Sequence, residues 1–278
     1  MRMTREEFLA WPRKRITLLG MSGVGKTRLA NMLRCDDWFH YSVDYRIGTR
    51  YLDESILDNI KMQAMQMPFL QDLLRSDSIY ISNNITVDNL KPLSTFLGML
   101  GNPDKGGLSL QEFKRRQRLH LDAEIKAIRD VEQFVEKAGS VYGYDHFLHD
   151  TSGSFCEIDE PKMIKQIADN TLMIYLEASS DDETKLIERA AVAPKPLYYR
   201  EEFLDEHLQK YMDSVNVGYT TEIDPADFVR WVFPYLFRSR VPRYAAIAKE
   251  HGYSIAARDA FEVDSCEEFV DLIGRALD

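Results

Sequence analysis

Cysteine is scarce in this chain of 278 residues: Cys35, Cys156 and Cys266 are all it has. They are far apart, odd in number and form no CxxC pair. That excludes a disulfide framework and a zinc–thiolate site, and leaves reduced, mostly buried thiols. His146 and His149 have no third ligand at metal spacing, so no structural metal is expected. Long apolar runs are also missing. Nothing approaches the roughly 20 residues that a membrane-spanning helix needs, and the opening MRMTREEFLAWPRKR has no apolar centre of a secretory leader. A cytoplasmic protein with no membrane partner is the expectation. Positive charge is in deficit, with 35 Lys and Arg against 45 Asp and Glu and a net charge of −10. Long-range attraction to nucleic acid is thereby disfavoured. The one dense basic cluster, KRRQR at 114–118, would spread around a helix and reads as a solvated face. Tandem repeats and low-complexity tracts are absent too.

What is present begins with an ordinary globular composition, 45% hydrophobic and 29% charged. The length suits one large domain, or a core carrying an insertion. Within ITLLGMSGVGKTRLANML the pattern reads strand, turn, helix. Residues 16–19 are a short apolar run, glycines punctuate the turn, and Leu29, Ala30 and Leu33 fall at helical spacing. Gly20, Gly25, Lys26 and Thr27 match G-x-x-x-x-G-K-[ST] in full. Glycines let backbone N–H groups wrap phosphates, and a helix N-terminus adds partial positive charge. Lys26 is placed to reach the β and γ phosphates, and the Thr27 hydroxyl to complete a Mg²⁺ shell. The expected nucleotide-binding set is Gly20, Ser22, Gly23, Val24, Gly25, Lys26, Thr27 and Arg28, with ATP and Mg²⁺ as cofactors.

Three further stretches carry candidate chemistry. YDHFLHDTSGS places Asp150 at the end of an apolar run and before a small-residue turn, where a carboxylate can hold a Mg²⁺ shell; the alternative is a turn-capping Asp. WFHYSVDYRIGTRYL reads as a strand over 38–43 with Asp44 at its end and Arg46 and Arg50 just beyond. In an open α/β sheet ligands collect at the carboxyl ends of strands. Asp44 there can orient or deprotonate an attacking hydroxyl, and Arg46 can clamp an anionic acceptor. ERAAVAPKPLYYREEF spreads Arg189, Lys195 and Arg200 through a Pro-containing segment. These bases suit a lid that neutralises charge as a phosphoryl group moves, or they pair with Glu188, Glu201 and Glu202 on a helical surface.

The order of these parts resembles the P-loop small-molecule and nucleotide kinases, and within them the shikimate, gluconate and adenylylsulfate kinase branch. The stretch 38–60 is also similar to uncharacterised bacterial proteins described as predicted P-loop ATPases. The resemblance implies an α/β fold, a three-layer P-loop NTPase of nucleoside-monophosphate-kinase type with a mostly parallel central sheet and helical insertions. It implies ATP on the loop 20–27, a substrate-side Asp at Asp44, an acceptor-binding Arg at Arg46 and a lid Arg at Arg189 or Arg200. The TSGS turn at 151–154 is placed like the glycine-rich substrate turn of shikimate kinases without being the same motif, so shikimate itself does not follow. The expected organisation is a single domain over 1–278, with a helical insertion at about 53–140 and a lid and helical segment at about 183–252. In the resembling kinases an insertion at the first position forms the acceptor-binding subdomain.

Within the first insertion, ESILDNIKMQAMQMPFLQDLL reads as helix with Met62, Met65 and Met67 as core filler. The stretch 85–109 reads as a loop-rich connection broken by Pro and Gly. LQEFKRRQRLHLDAEIKAIRDVEQFVEKA reads as a long helix with Leu119, Ile125, Ile128, Val131 and Val135 inward. In the second, Phe228, Trp231, Val232, Tyr235, Leu236 and Phe237 make an aromatic helical face interrupted by Pro234; it reads as core, with a homodimer interface or an acceptor pocket as alternatives. A final strand, loop and closing helix occupy 253–277. Three readings of activity stand apart: a phosphotransferase acting on a small-molecule or nucleotide acceptor, a nucleotide-driven switch on a protein partner, and a kinase acting on nucleic acid. The guanine-reading NKxD pattern is absent, which disfavours a GTPase switch.

Overall fold

The computed structural model describes residues 1–34 and 37–277; Cys35, one of the three thiols, lies outside them. The chain divides into two compact units. One comprises Met1–Val43, Ile128–Pro194 and Arg230–Asp278, the other Asp44–Ala127 and Lys195–Val229.

The first unit is built on a five-stranded, all-parallel sheet with strands β1 (Arg15–Leu19), β2 (Trp38–Ser42), β3 (His146–Asp150), β4 (Leu172–Glu177) and β5 (Gly252–Ala256), in the spatial order β2-β3-β1-β4-β5. Parallel strands need crossovers and are covered on both faces, so they read as unbroken apolar runs. LMIYLE of β4 is buried along its whole length but for Glu177. Strand alternation sorts the edge residues by face. Phe39 and Tyr41 turn to one side and pack on Phe134 of the helix Val131–Ser140 and on Phe147 of β3. Trp38 turns to the other, meets the edge of Phe269 in the helix Cys266–Ala276 and donates its indole N–H to Cys266. The helix Pro161–Asn170 packs on β4, and Lys26–Leu33 on β2 and β3. The expected final strand and closing helix are present, with a short extra helix, Ala257–Phe261, between them.

Inside the sheet lies a polar knot. Thr17 Oγ1 stands 2.7 Å from Thr171 Oγ1 and 3.0 Å from His149 Nδ1, and all three residues are fully buried. Burial drives the His149 imidazole down to about 3, so the ring is neutral.

The second unit is helical, with the described helices Asp53–Ala64, Pro68–Arg75, Lys91–Leu97, Glu201–Val215 and most of Leu110–Arg129. Three expectations change here. The stretch 85–109 holds a helix, opened by Pro92 in its first turn, where the missing N–H is no loss. Met62 and Met67 are more than half exposed and Met65 half-buried, while Ile56 and Ala64 carry the inward face of their helix. The helix there stops at Ala64 and restarts at Pro68, so Met65 and Met67 fall in the break while Met62 lies on the exposed side of the first piece.

The third change concerns KRRQR. Arg116 and Gln117 are buried, with His120 and Glu124 continuing the same face along Leu110–Arg129, while Leu119 and Ile125 are only half-buried. Arg116 is satisfied where it lies. Its guanidinium bonds Glu112 Oε1 at 2.7 Å, Asn59 Oδ1 at 2.7 Å and the Phe96 carbonyl, and stacks on the Phe96 ring. Gln117 accepts from the Tyr199 N–H and donates to the Leu197 carbonyl. A buried charge is tolerated only when paired in this way. Ile128 and Val131 are buried as expected, and a break at Asp130 divides the long pattern into Leu110–Arg129 and Val131–Ser140.

Pro225–His251 forms one helix despite Pro234 and Pro242. An interior proline costs about 3 kcal/mol of helix propensity. Burial of Phe228, Val232, Leu236 and Phe237 outweighs it, whereas Tyr235 of the same expected face is exposed.

Candidate functional site

The phosphate-loop sequence occupies the turn between β1 and the helix Lys26–Leu33. β1 lies between β3 and β4; the chain leaves β1 toward β2 on one side and leaves β4 toward β5 on the other. That is the switch point at which the carboxyl ends of an open sheet leave a crevice. Gly20, Gly23 and Gly25 have φ of 142°, 95° and 101°, which L side chains rarely adopt. Gly25 is the N-cap of the following helix and gives it no side-chain cap, so the first N–H groups of that helix are left for another acceptor. Val24 is buried and Ser22 exposed.

Lys26 is buried, its ammonium donating to the carbonyls of Gly20 at 2.7 Å and Met21 at 3.0 Å within its own loop. Thr27 donates its hydroxyl to Asp150 Oδ2 at 2.9 Å, across from the end of β3. Asp150 is buried and its Oδ1 has no hydrogen-bond partner among the described residues. A hydroxyl and a carboxylate with an unmet oxygen make a hard-oxygen donor pair of the kind Mg²⁺ takes, so these residues fit that cation.

Arg28 behaves differently from its neighbours. Its guanidinium reaches the carbonyl of Val263 at 2.9 Å and pairs with Asp264 at 2.6 Å, ahead of the closing helix. Arg189, on the helix Ser180–Val192, lies against the loop: a methyl group on Gly23 would stand 2.9 Å from its Nη2. Among the described residues its guanidinium has no ion-pair partner, so the alternative of pairing with Glu188 is not realised.

The turn 151–154 packs onto the phosphate loop. A Cβ on Gly153 would stand 2.9 Å from the backbone N of Ser22. Behind the turn lies an ion pair that sequence reading missed. Arg240 Nε donates to Glu157 Oε1 at 2.9 Å, both side chains 4% exposed, and Arg240 Nη1 donates to the Gly153 carbonyl at 3.0 Å. Burial, the largest single influence, acts to lower the guanidinium pKa, but Glu157, Cys156 and Tyr244 together outweigh it and the group is held above its ordinary value. Arg240 comes from a helix read as aromatic core, and its partner is 83 residues distant; no local pattern links them.

The first unit thus gathers residues 20–28, Asp150 and Arg189. Asp44, Arg46 and Arg200 belong to the second unit. Asp44 and Arg46 sit in the short helix Val43–Arg46, which follows β2 directly, one residue earlier than the expected strand end. The Arg46 guanidinium lies over the Tyr51 ring at 5.7 Å. Arg200 occupies the N-cap position of the helix Glu201–Val215 without a side-chain cap bond, its Nε 3.8 Å from Glu202.

Fold and site together define a class: an α/β protein with a five-stranded parallel sheet and a phosphate loop at the carboxyl end of its central strand. Neither a family model nor a curated protein matches the chain. Among solved structures it is similar to a shikimate kinase from Bacteroides thetaiotaomicron, at 12% identity and a TM-score of 0.40, over 94% of this chain and 95% of that one. At that identity and score the likeness bears on neither activity nor substrate. None of the described helices is long and apolar enough to cross a membrane.

Proposed function

We propose that this protein binds Mg·ATP on residues 20–27 and transfers the γ-phosphoryl group to a small-molecule or nucleotide acceptor. The observation that carries the reading is the contact of Thr27 with Asp150, whose second carboxylate oxygen is buried and unmet, at the mouth of the glycine-rich loop. Lys26 would exchange its two loop carbonyls for phosphate oxygens. The uncapped helix N-terminus adds N–H donors and partial positive charge. Thr27 and Asp150 would hold Mg²⁺, which supplies charge neutralisation along the β and γ phosphates. Arg189, against Gly23 and, among the described residues, without an ion-pair partner, is a cation available for charge developing on the moving phosphoryl group. Asp44 and Arg46 are the proposed acceptor-side pair, Asp44 orienting the hydroxyl and Arg46 its anionic group, with Arg200 as a second lid cation. Positioning and charge stabilisation supply most of the catalysis in such transfers.

The test is mass-spectrometric. The protein is incubated with Mg·ATP and a desalted metabolite extract, beside Lys26→Ala. The expected result is a species heavier by one phosphoryl group, formed by the wild type alone. ATP loss to free phosphate without such a species would refute phosphotransfer and favour a nucleotide-driven switch. Exposed Met62, Met67, Phe69 and Tyr80 on the second unit are the feature that favours that second reading.

A further inference from the structure

Among the described residues, three buried polar atoms without hydrogen-bond partners lie on two neighbouring side chains of the first unit: both ring nitrogens of His40 and Oδ1 of Asp150. Such atoms are rare in folded proteins, and each asks for an explanation. His40 lies on β2 and Asp150 ends the neighbouring strand β3, on the sheet face that carries the helix Lys26–Leu33. The His40 side chain is 4% exposed, and its Nε2 stands 3.5 Å from Asp150 Oδ2. That separation is too long for a good hydrogen bond, and Oδ2 accepts from the Thr27 hydroxyl at 2.9 Å. An apolar ring would fill the same space with no stranded nitrogen, so packing alone does not account for an imidazole here.

We infer that His40 is a positioning residue for a divalent cation held by Thr27 and Asp150. The inference rests on the Mg·ATP reading of this site. When the Thr27 hydroxyl ligates the cation through a lone pair, it keeps its proton for Asp150 Oδ2, which has a second lone pair to offer. The His40 ring, carrying a proton on Nε2, closes from 3.5 Å to donate to that second lone pair. The carboxylate is then held in one orientation, with Oδ1 free to accept from the cation's hydration shell. Carboxylates around metals are commonly fixed by such outer hydrogen bonds, and their loss typically lowers metal affinity by roughly 10–100-fold.

The experiment uses Mn²⁺ as the probe, titrated into the intact protein with ADP bound and followed by the electron paramagnetic resonance of free Mn²⁺. ADP affinity is measured in parallel in EDTA. His40→Phe keeps a ring and removes both nitrogens; His40→Gln returns a donor close to the position of Nε2. The expected result is Mn²⁺ affinity lowered about 10–100-fold in His40→Phe, restored to within a few-fold in His40→Gln, with metal-free ADP affinity unchanged in both. Wild-type Mn²⁺ affinity in His40→Phe overturns the inference, as does an equal loss in both variants or a parallel fall in metal-free ADP affinity. A wild-type protein that binds no ADP would instead remove the nucleotide reading, and this inference with it.

Discussion

Replacing Arg240 by Met removes the guanidinium from behind the 151–154 turn and leaves the Glu157 carboxylate buried alone. The two side chains are 2.9 Å apart and 4% exposed. Breaking a pair at that depth by removing one partner costs about 3–5 kcal/mol, most of it the desolvation of the abandoned charge. The Gly153 carbonyl also loses its donor, and that loss lies within the same figure. At roughly 2–4 °C per kcal/mol for domains of 150–250 residues, the melting midpoint should fall by about 6–20 °C. Removing both charges in Arg240→Met/Glu157→Leu should recover most of it. The remaining deficit is about 1–2 kcal/mol, set by the unmet Gly153 carbonyl. The assay is a double-mutant cycle followed by circular dichroism in urea and on heating. A single variant costing less than about 1 kcal/mol would refute the reasoning, because an unpaired buried carboxylate cannot be that cheap. So would a double variant as unstable as the sum of the two singles, because the pair would then have no coupling energy.

Two other outcomes follow from the same coordinates. Gly153→Ala puts a methyl group 2.9 Å from the Ser22 backbone nitrogen, so the turn and the phosphate loop must separate. Overpacking of this kind costs about 1–3 kcal/mol, and on the proposed Mg·ATP reading calorimetric titration should show ATP affinity falling several-fold; unchanged affinity would detach the turn from the site. Glu112 is held down to about 2, foremost by its hydrogen bond from Arg115, with burial opposing and Arg116 adding to the effect. A depressed carboxylate stabilises above its unfolded value of 4.5 and loses that contribution as pH falls through about 2. With the side chain 32% exposed, solvent screening reduces the contribution to about 1 kcal/mol. Glu112→Gln should therefore cost about that much in urea unfolding at pH 7, and the gap should close between pH 4.5 and pH 2; a gap independent of pH would refute the pairing.

The sequence by itself determined the strand, turn and helix of the phosphate loop, because every requirement there is local. Apolar residues 16–19, glycines at positive φ, and Lys26 and Thr27 at the start of a helix are fixed by what single residues can do with their own backbone. The parallel character of the sheet is an expectation from the resemblance to the P-loop kinases, and the apolar run of β4 agrees with it. What only the tertiary structure decided is which distant residues meet. Asp150 was legible as a strand-end carboxylate; that Thr27 donates to it, and that His40 faces it from β2, depends on β3 pairing between β1 and β2, which no local pattern encodes. The Arg240–Glu157 pair was hidden inside an aromatic helix face. KRRQR was misread because burial of Arg116 and Gln117 depends on partners at Glu112, Asn59, Phe96, Leu197 and Tyr199, some more than fifty residues away. Local chemistry writes the turn, and long-range pairing chooses which polar groups can be buried, because a buried charge survives only where the fold brings its partner.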